Sequence, residues 1–262
     1  NNVAIKPTAK KIESHLKPGE KEISVKDIWA YYKFFGRSVR GVRSMNDGKF
    51  FTTLTNSNGV SSVNKFSYAT YEKIETIFTS SELKDEEGNK ISIDDYEFNA
   101  NETKVLIATK QESIYRRSSK AYYYIYDLKT KKTISLSDKK EGKQRLAEFS
   151  PTGNHVAFVR ENNMFFVNLK TGKEVQITQD GELNKIINGA TDWVYEEEFG
   201  FHKGFEWNAN GSKIAYWKFD ESKVQKWRDQ VAHNENSQIG RAIISARGCE
   251  ILPTQAFGMR TN

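Results

Sequence analysis

Three consecutive carboxylates, Glu196, Glu197 and Glu198, stand inside an aromatic segment. Thr191-Asp192-Trp193-Val194-Tyr195 precedes them and Phe199-Gly200-Phe201 follows. Like charges crowded beside apolar rings repel one another and lose hydration, so the pattern is costly unless a cation balances it. That cation is either a Lys or Arg of the chain or a bound ligand. Other residues able to do chemistry are sparse. His15, His155, His202 and His233 lie far apart without metal-ligand spacing, and Cys249 is the single cysteine, which excludes a disulfide framework and a cysteine-based metal site. No metal and no other cofactor is expected. His202 reads as surface packing, and Cys249 as incidental, since no catalytic partners surround it.

The elements that must hold the carboxylates are β-strands. Aromatic residues make up 13% of the chain, which favours strand over helix. The formal charge of +6 is spread thinly along the sequence, with no basic block, so a Lys-rich solvated surface is expected and nucleic-acid binding is not. No run approaches the ~18 apolar residues that would span a membrane.

A turn-then-strand pattern recurs from residue 41 onward. It appears at Met45-Asn46-Asp47-Gly48, Asn99-Ala100-Asn101-Glu102, Ser150-Pro151-Thr152-Gly153 and Asn208-Ala209-Asn210-Gly211, each followed by an apolar run. With Gly48, Glu102, Gly153 and Gly211 equivalent, the spacings are 54, 51 and 58 residues. Between the turns lies a second repeat, in which Tyr124-Ile125-Tyr126-Asp127-Leu128-Lys129-Thr130-Lys131 matches Phe165-Phe166-Val167-Asn168-Leu169-Lys170-Thr171-Gly172. A four-stranded antiparallel meander of about 50 residues is the size of a propeller blade. The prediction is an all-β chain, a β-propeller with about four blades of a larger ring, rather than a β-sandwich. The first unit is the least regular. Residues 1–22 read as an N-terminal arm, 23–223 as the partial propeller and 224–262 as a divergent, helical or disordered tail. Ser24 with Asp27 is placed to cap a short helix, and residues 31–35 read as strand or helix.

The run Asp192-Trp193-Val194-Tyr195-Glu196-Glu197-Glu198, with Trp207-Asn208-Ala209-Asn210-Gly211, Arg40-Gly41-Val42-Arg43-Ser44-Met45, Tyr115-Arg116-Arg117-Ser118 and Ile125-Tyr126-Asp127-Leu128, resembles the N-terminal propeller of the dipeptidyl peptidase IV family over roughly residues 21–223. The Phe199-Gly200-Phe201 continuation is closer to bacterial members. The resemblance implies an eight-bladed propeller capping an α/β-hydrolase domain, in a serine exopeptidase that releases Xaa-Pro or Xaa-Ala dipeptides. It implies that Glu197 and Glu198 hold the free α-ammonium of a peptide substrate. It also implies that Arg116, or Arg117 one position on, contacts the substrate backbone carbonyl, with Arg116 free to pair with the glutamates when substrate is absent. Both glutamates can reach one cation only from a helical turn or irregular loop, because neighbours on a strand point to opposite faces. Without its flanks, a Glu-Glu-Glu run would be an ordinary solvated face; the other reading of Arg116 is an ordinary surface arginine. By the same resemblance the location is periplasmic, cell-surface or secreted.

The family's chemistry needs a Ser-Asp-His set with Ser on a Gly-x-Ser-x-Gly elbow, and the 262 residues contain no such pattern. The chain by itself is therefore expected to bind peptides without cutting them, and a truncated or frame-shifted gene, or a fragment from assembly, is expected to account for its end ahead of a short relative with a new tail. A partial ring exposes a sheet edge, which predicts association, a homodimer included. The other class of function left open is a non-catalytic propeller module that binds peptides or proteins.

Overall fold

The four repeated turns adopt one geometry in the computed structural model, which describes residue 17, residues 21–36 and residues 41–224. In each, the backbone N–H of the last residue donates to the carbonyl three positions back: Gly48 to Met45, Glu102 to Asn99, Gly153 to Ser150 and Gly211 to Asn208, at 2.8–3.0 Å. The donors share a left-handed backbone, with φ of 65°, 54°, 69° and 67°. Glycine adopts it freely, whereas another residue is strained by roughly 1–2 kcal/mol. Glu102 takes on that strain in a position where its carboxylate accepts the Asn46 N–H at 2.7 Å, tying two neighbouring turns together.

The second repeat is equally regular. Asp127 and Asn168 each accept from the two backbone N–H groups two and three residues on, and Lys131 and Gly172 close the turn with positive φ. Ser67 does the same for Ala69 and Thr70, and Tyr71 closes it. The least regular unit in sequence therefore carries the same hairpin, written in different residues.

Between these turns the chain builds successive antiparallel sheets. The first consists of β1 (Arg43–Ser44), β2 (Phe50–Ser57), β3 (Val60–Ser67) and β4 (Lys73–Thr79). The second consists of β5 (Asp95–Phe98), β6 (Lys104–Ser113), β7 (Ser119–Asp127) and β8 (Thr133–Ser135), and the third of β9 (Arg145–Phe149), β10 (His155–Arg160), β11 (Asn163–Asn168) and β12 (Glu174–Gln176). Each has its strands in chain order, a meander. The chain is all-β, with the antiparallel blades expected, and the sheets do not close into a ring.

Core packing explains the apolar runs. On β6, Val105 and Ile107 join a cluster with Val63 and Phe78 of the first sheet, while Leu106 between them joins one with Phe149, Val156 and Phe158 of the third. On β10, Val156 and Phe158 face back and Ala157 and Val159 face forward, toward Ile187 and Phe205. A strand buried on both faces has no polar alternation to show, which is why these segments read as continuous hydrophobic stretches.

The fourth unit departs from the pattern. β13 (Ile186–Asn188) pairs with β16 (Lys218–Asp220), and β14 (Phe205–Trp207) pairs with β15 (Ile214–Tyr216). β15 and β16 are separated only by Trp217, whose N–H donates to Gly204 and whose carbonyl accepts from Gly189. β13 and β14 are thus two halves of one strand, and residues 190–203 are an excursion from its middle. The carboxylate run lies inside this excursion. The third sheet has a bulge at the equivalent register, with Leu146 at φ 59°.

The chain divides into two compact units, Asn1–Arg40 and Gly41–Asn262. All the sheets belong to the second. In the first, α1 (Val25–Trp29) carries the expected capping box: Ser24 Oγ accepts from Asp27 N–H at 3.1 Å and Asp27 accepts from Ser24 N–H at 2.9 Å. Residues 31–35 are neither strand nor helix. The expected N-terminal arm and the tail from residue 225 lie outside the described residues, apart from residues 17, 21 and 22.

Candidate functional site

Two glycines make the excursion. Gly204 N–H donates to the Gly189 carbonyl at 3.1 Å, pinching its base shut. Gly189 has φ +73°, and a Cβ there would lie 2.5 Å from Met164 Cγ. A Cβ on Gly204 would lie 3.0 Å from the Ala190 backbone. Neither site has room for a side chain without movement of its neighbour. Nothing in the sequence marked these glycines, because a strand that leaves and rejoins its own line has no local signature.

From that base rises α2 (Trp193–Glu197). Asp192 caps it, accepting from Tyr195 N–H at 2.9 Å. Glu198 is the C-cap, and Gly200 at φ +77° turns the chain away. The helical turn anticipated for the glutamates is present. Tyr195 anchors it, its ring centroid 5.2 Å from those of Phe199 and Phe201 and 5.0 Å from that of Phe219. Glu197 and Glu198 stand at the C-terminal end of a helix, where backbone carbonyls already concentrate negative charge. The placement favours a cation there.

Successive helical residues diverge by about 100°, and this separates the three carboxylates. Glu196 points inward and is fully buried. Its Oε1 accepts from Arg117 N–H at 2.7 Å and Ser118 N–H at 2.8 Å, both at the tip of the β6–β7 hairpin. Burial pushes its pKa up, but donors from Ser118 and Arg117 outweigh burial and hold the carboxyl below its ordinary range. Glu197 is half-buried. Its Oε2 lies 3.1 Å from Arg116 Nε, and its Oε1 accepts from Arg116 N–H at 3.4 Å. The Arg116 side chain is itself 74% exposed. Glu198 is exposed and has no ion-pair partner among the described residues. The structure thus brings Glu197 and Arg116 into contact, with Glu198 next along the helix. Arg117 does not share the ion pair.

Sequence reasoning missed Glu196 and the groups around it. Arg145 is half-buried near Glu196 and Tyr115; burial lowers its pKa while Glu196 and Tyr115 raise it. Asp192 is raised by burial despite its backbone donors. His202, expected at the surface, is half-buried instead, lowered by burial and drawn the other way by Glu196. No group of side chains suited to a metal ion occurs among the described residues.

The site is therefore two adjacent carboxylates, Glu197 paired with the exposed Arg116 and Glu198 open to solvent, assembled from the β6–β7 hairpin and α2. Residues 99–242, which include every one of these side chains, match the model for the dipeptidyl peptidase IV (DPP IV) N-terminal region. The chain belongs to this family. The match to the DPP IV N-terminal region also extends into residues 224–262, which sequence reading had set apart. A probable dipeptidyl-aminopeptidase B of Podospora anserina is 40% identical over 126 residues, covering 47% of this chain and 14% of that protein. A probable dipeptidyl peptidase 4 of Aspergillus clavatus is 35% identical over 159 residues, covering 60% of this chain and 20% of that protein. The crystal structure of Porphyromonas gingivalis dipeptidyl peptidase 4 superposes with a TM-score of 0.73 at 36% identity, over 85% of this chain and 31% of that one. The matched region spans a fifth or less of these fungal relatives and under a third of the bacterial one.

Proposed function

We propose that this chain is the substrate-recognition propeller portion of a DPP IV-like serine exopeptidase, and that Glu197, Glu198 and Arg116 anchor the free N-terminus of a peptide. The observation that carries this reading is the pair of adjacent carboxylates on one helical turn, one contacted by an exposed arginine and the other open to solvent. An α-ammonium placed between them makes charge-assisted hydrogen bonds, stronger than neutral ones. Arg116, already seated on Glu197, can shift to a substrate carbonyl once the ammonium takes over part of the negative charge. Release of Xaa-Pro or Xaa-Ala dipeptides follows from the same reading, because a fixed anchor sets the distance from the N-terminus to a nucleophile.

The nucleophile belongs to an α/β-hydrolase domain, since these 262 residues contain no Gly-x-Ser-x-Gly. An exported location accompanies this assignment. No helix among the described residues is long and apolar enough to cross a membrane. Calorimetric titration of Glu197→Gln and Glu198→Gln with an Ala-Pro peptide tests the anchor. Each is expected to weaken binding about tenfold or more, the range for a hydrogen bond to a charged group. Unchanged affinity in both variants would refute it.

A further inference from the structure

Glu196 has no place in the anchor described above, yet it is the most deeply buried ionisable group in the excursion. A carboxylate is costly to bury, and it persists where fixed donors replace its water. Two consecutive backbone N–H groups, of Arg117 and Ser118, converge on its Oε1. The N–H before them, of Arg116, reaches Glu197. Three successive amides of one hairpin tip therefore grip two successive carboxylates of one helix about 80 residues away. Within the tip, Ile114 and Tyr115 donate to Ser118 O, at 2.9 and 3.4 Å. Arg116 itself is largely in solvent, and a long exposed side chain holds no single position unless its backbone is fixed.

We propose that Glu196 is a positioning residue, whose buried carboxylate latches the 114–118 hairpin tip to α2 and so holds Arg116 at Glu197. It touches neither substrate nor reacting atoms. Its effect on peptide affinity rests on the anchor reading; the latch itself does not.

The test has two arms, both on the full 262-residue chain. Without peptide, hydrogen exchange reads the Arg117 and Ser118 amides directly. Glu196→Ala is expected to speed their exchange about tenfold or more, with the Ala121 and Gln144 amides of the paired strands unchanged. Glu196→Gln, which keeps an acceptor oxygen, is expected to retain most of the protection. Full protection of both amides in the Ala variant overturns the latch, whether or not any peptide binds. In the second arm, Arg116→Met is introduced into the wild-type chain and into Glu196→Ala, and Ala-Pro peptide affinity is measured. If Glu196 acts through Arg116, the arginine substitution weakens the wild type about fivefold and the Ala variant less than about twofold. Equal losses in the two backgrounds overturn the positioning role. A wild-type chain that binds free and N-acetylated peptides alike removes the anchor reading and leaves the exchange arm to decide the latch.

Discussion

Three identical residues in a row take three different roles because a helix turns them in three directions. One oxygen of Glu196 is held by two backbone amides while the other is buried without a hydrogen-bond partner, Glu197 is paired with Arg116, and Glu198 faces solvent. The sequence showed that a cation was needed. It could not show which carboxylate needed it, since helical phase is fixed by Asp192 and the Tyr195 ring cluster rather than by the glutamates. Another carboxylate makes a prediction about pH. Burial, with a smaller push from Asp192, raises Glu221 to about 7. This carboxyl holds its proton more tightly in the folded chain than in the unfolded one, where the value is near 4.5. The stability it brings is complete below about 4.5 and is lost as pH rises through about 7. Thermal unfolding is expected at a higher temperature at pH 5 than at pH 8, with the difference reduced in Glu221→Gln. The same pH difference in wild type and variant would contradict this assignment.

At the scale of elements, the hairpins and turns were legible and the excursion was not. Turn chemistry is local: a left-handed position after Asn, Asp or Pro asks for Gly, and the recurrence of that request gave the blade spacing. Ser67 hid the first unit's hairpin only because a hydroxyl performs there what Asp127 and Asn168 do elsewhere. The departure at Gly189 and the return at Gly204 depend on a partner strand ten or more residues further on, so no window of sequence contains the reason for them. Gly189→Ala is expected to destabilise the chain by about 2–4 kcal/mol, combining left-handed strain with overpacking against Met164. Denaturant unfolding measures this, and a loss below about 0.5 kcal/mol would show that the base of the excursion is not held as described. By contrast, Lys131→Gly places the preferred residue at the position Gly172 occupies in the next unit. A modest gain of about 0.5–1 kcal/mol is expected by the same measurement.

For the whole molecule, each sheet buries its faces against its neighbours, so stability is shared along the series of sheets. Phe158, fully buried with Phe165 stacked on it at 5.4 Å, joins the third sheet to the second. Phe158→Ala is expected to cost about 3–5 kcal/mol in denaturant unfolding. It also bears on the site, which draws Arg116 from the hairpin of the second sheet and Glu197 from α2 in the fourth unit, with the third sheet between them in chain order. The site is thus a property of the assembled sheets rather than of one loop, which is why sequence could name its residues but not their contacts. The function proposed for it is recognition of a free peptide N-terminus. The decisive measurement is calorimetry of the wild-type chain with an Ala-Pro peptide and its N-acetylated counterpart. Binding of the free peptide is expected to be at least about tenfold tighter, because acylation removes the charge that balances the two carboxylates. Equal affinity for the two peptides would contradict it.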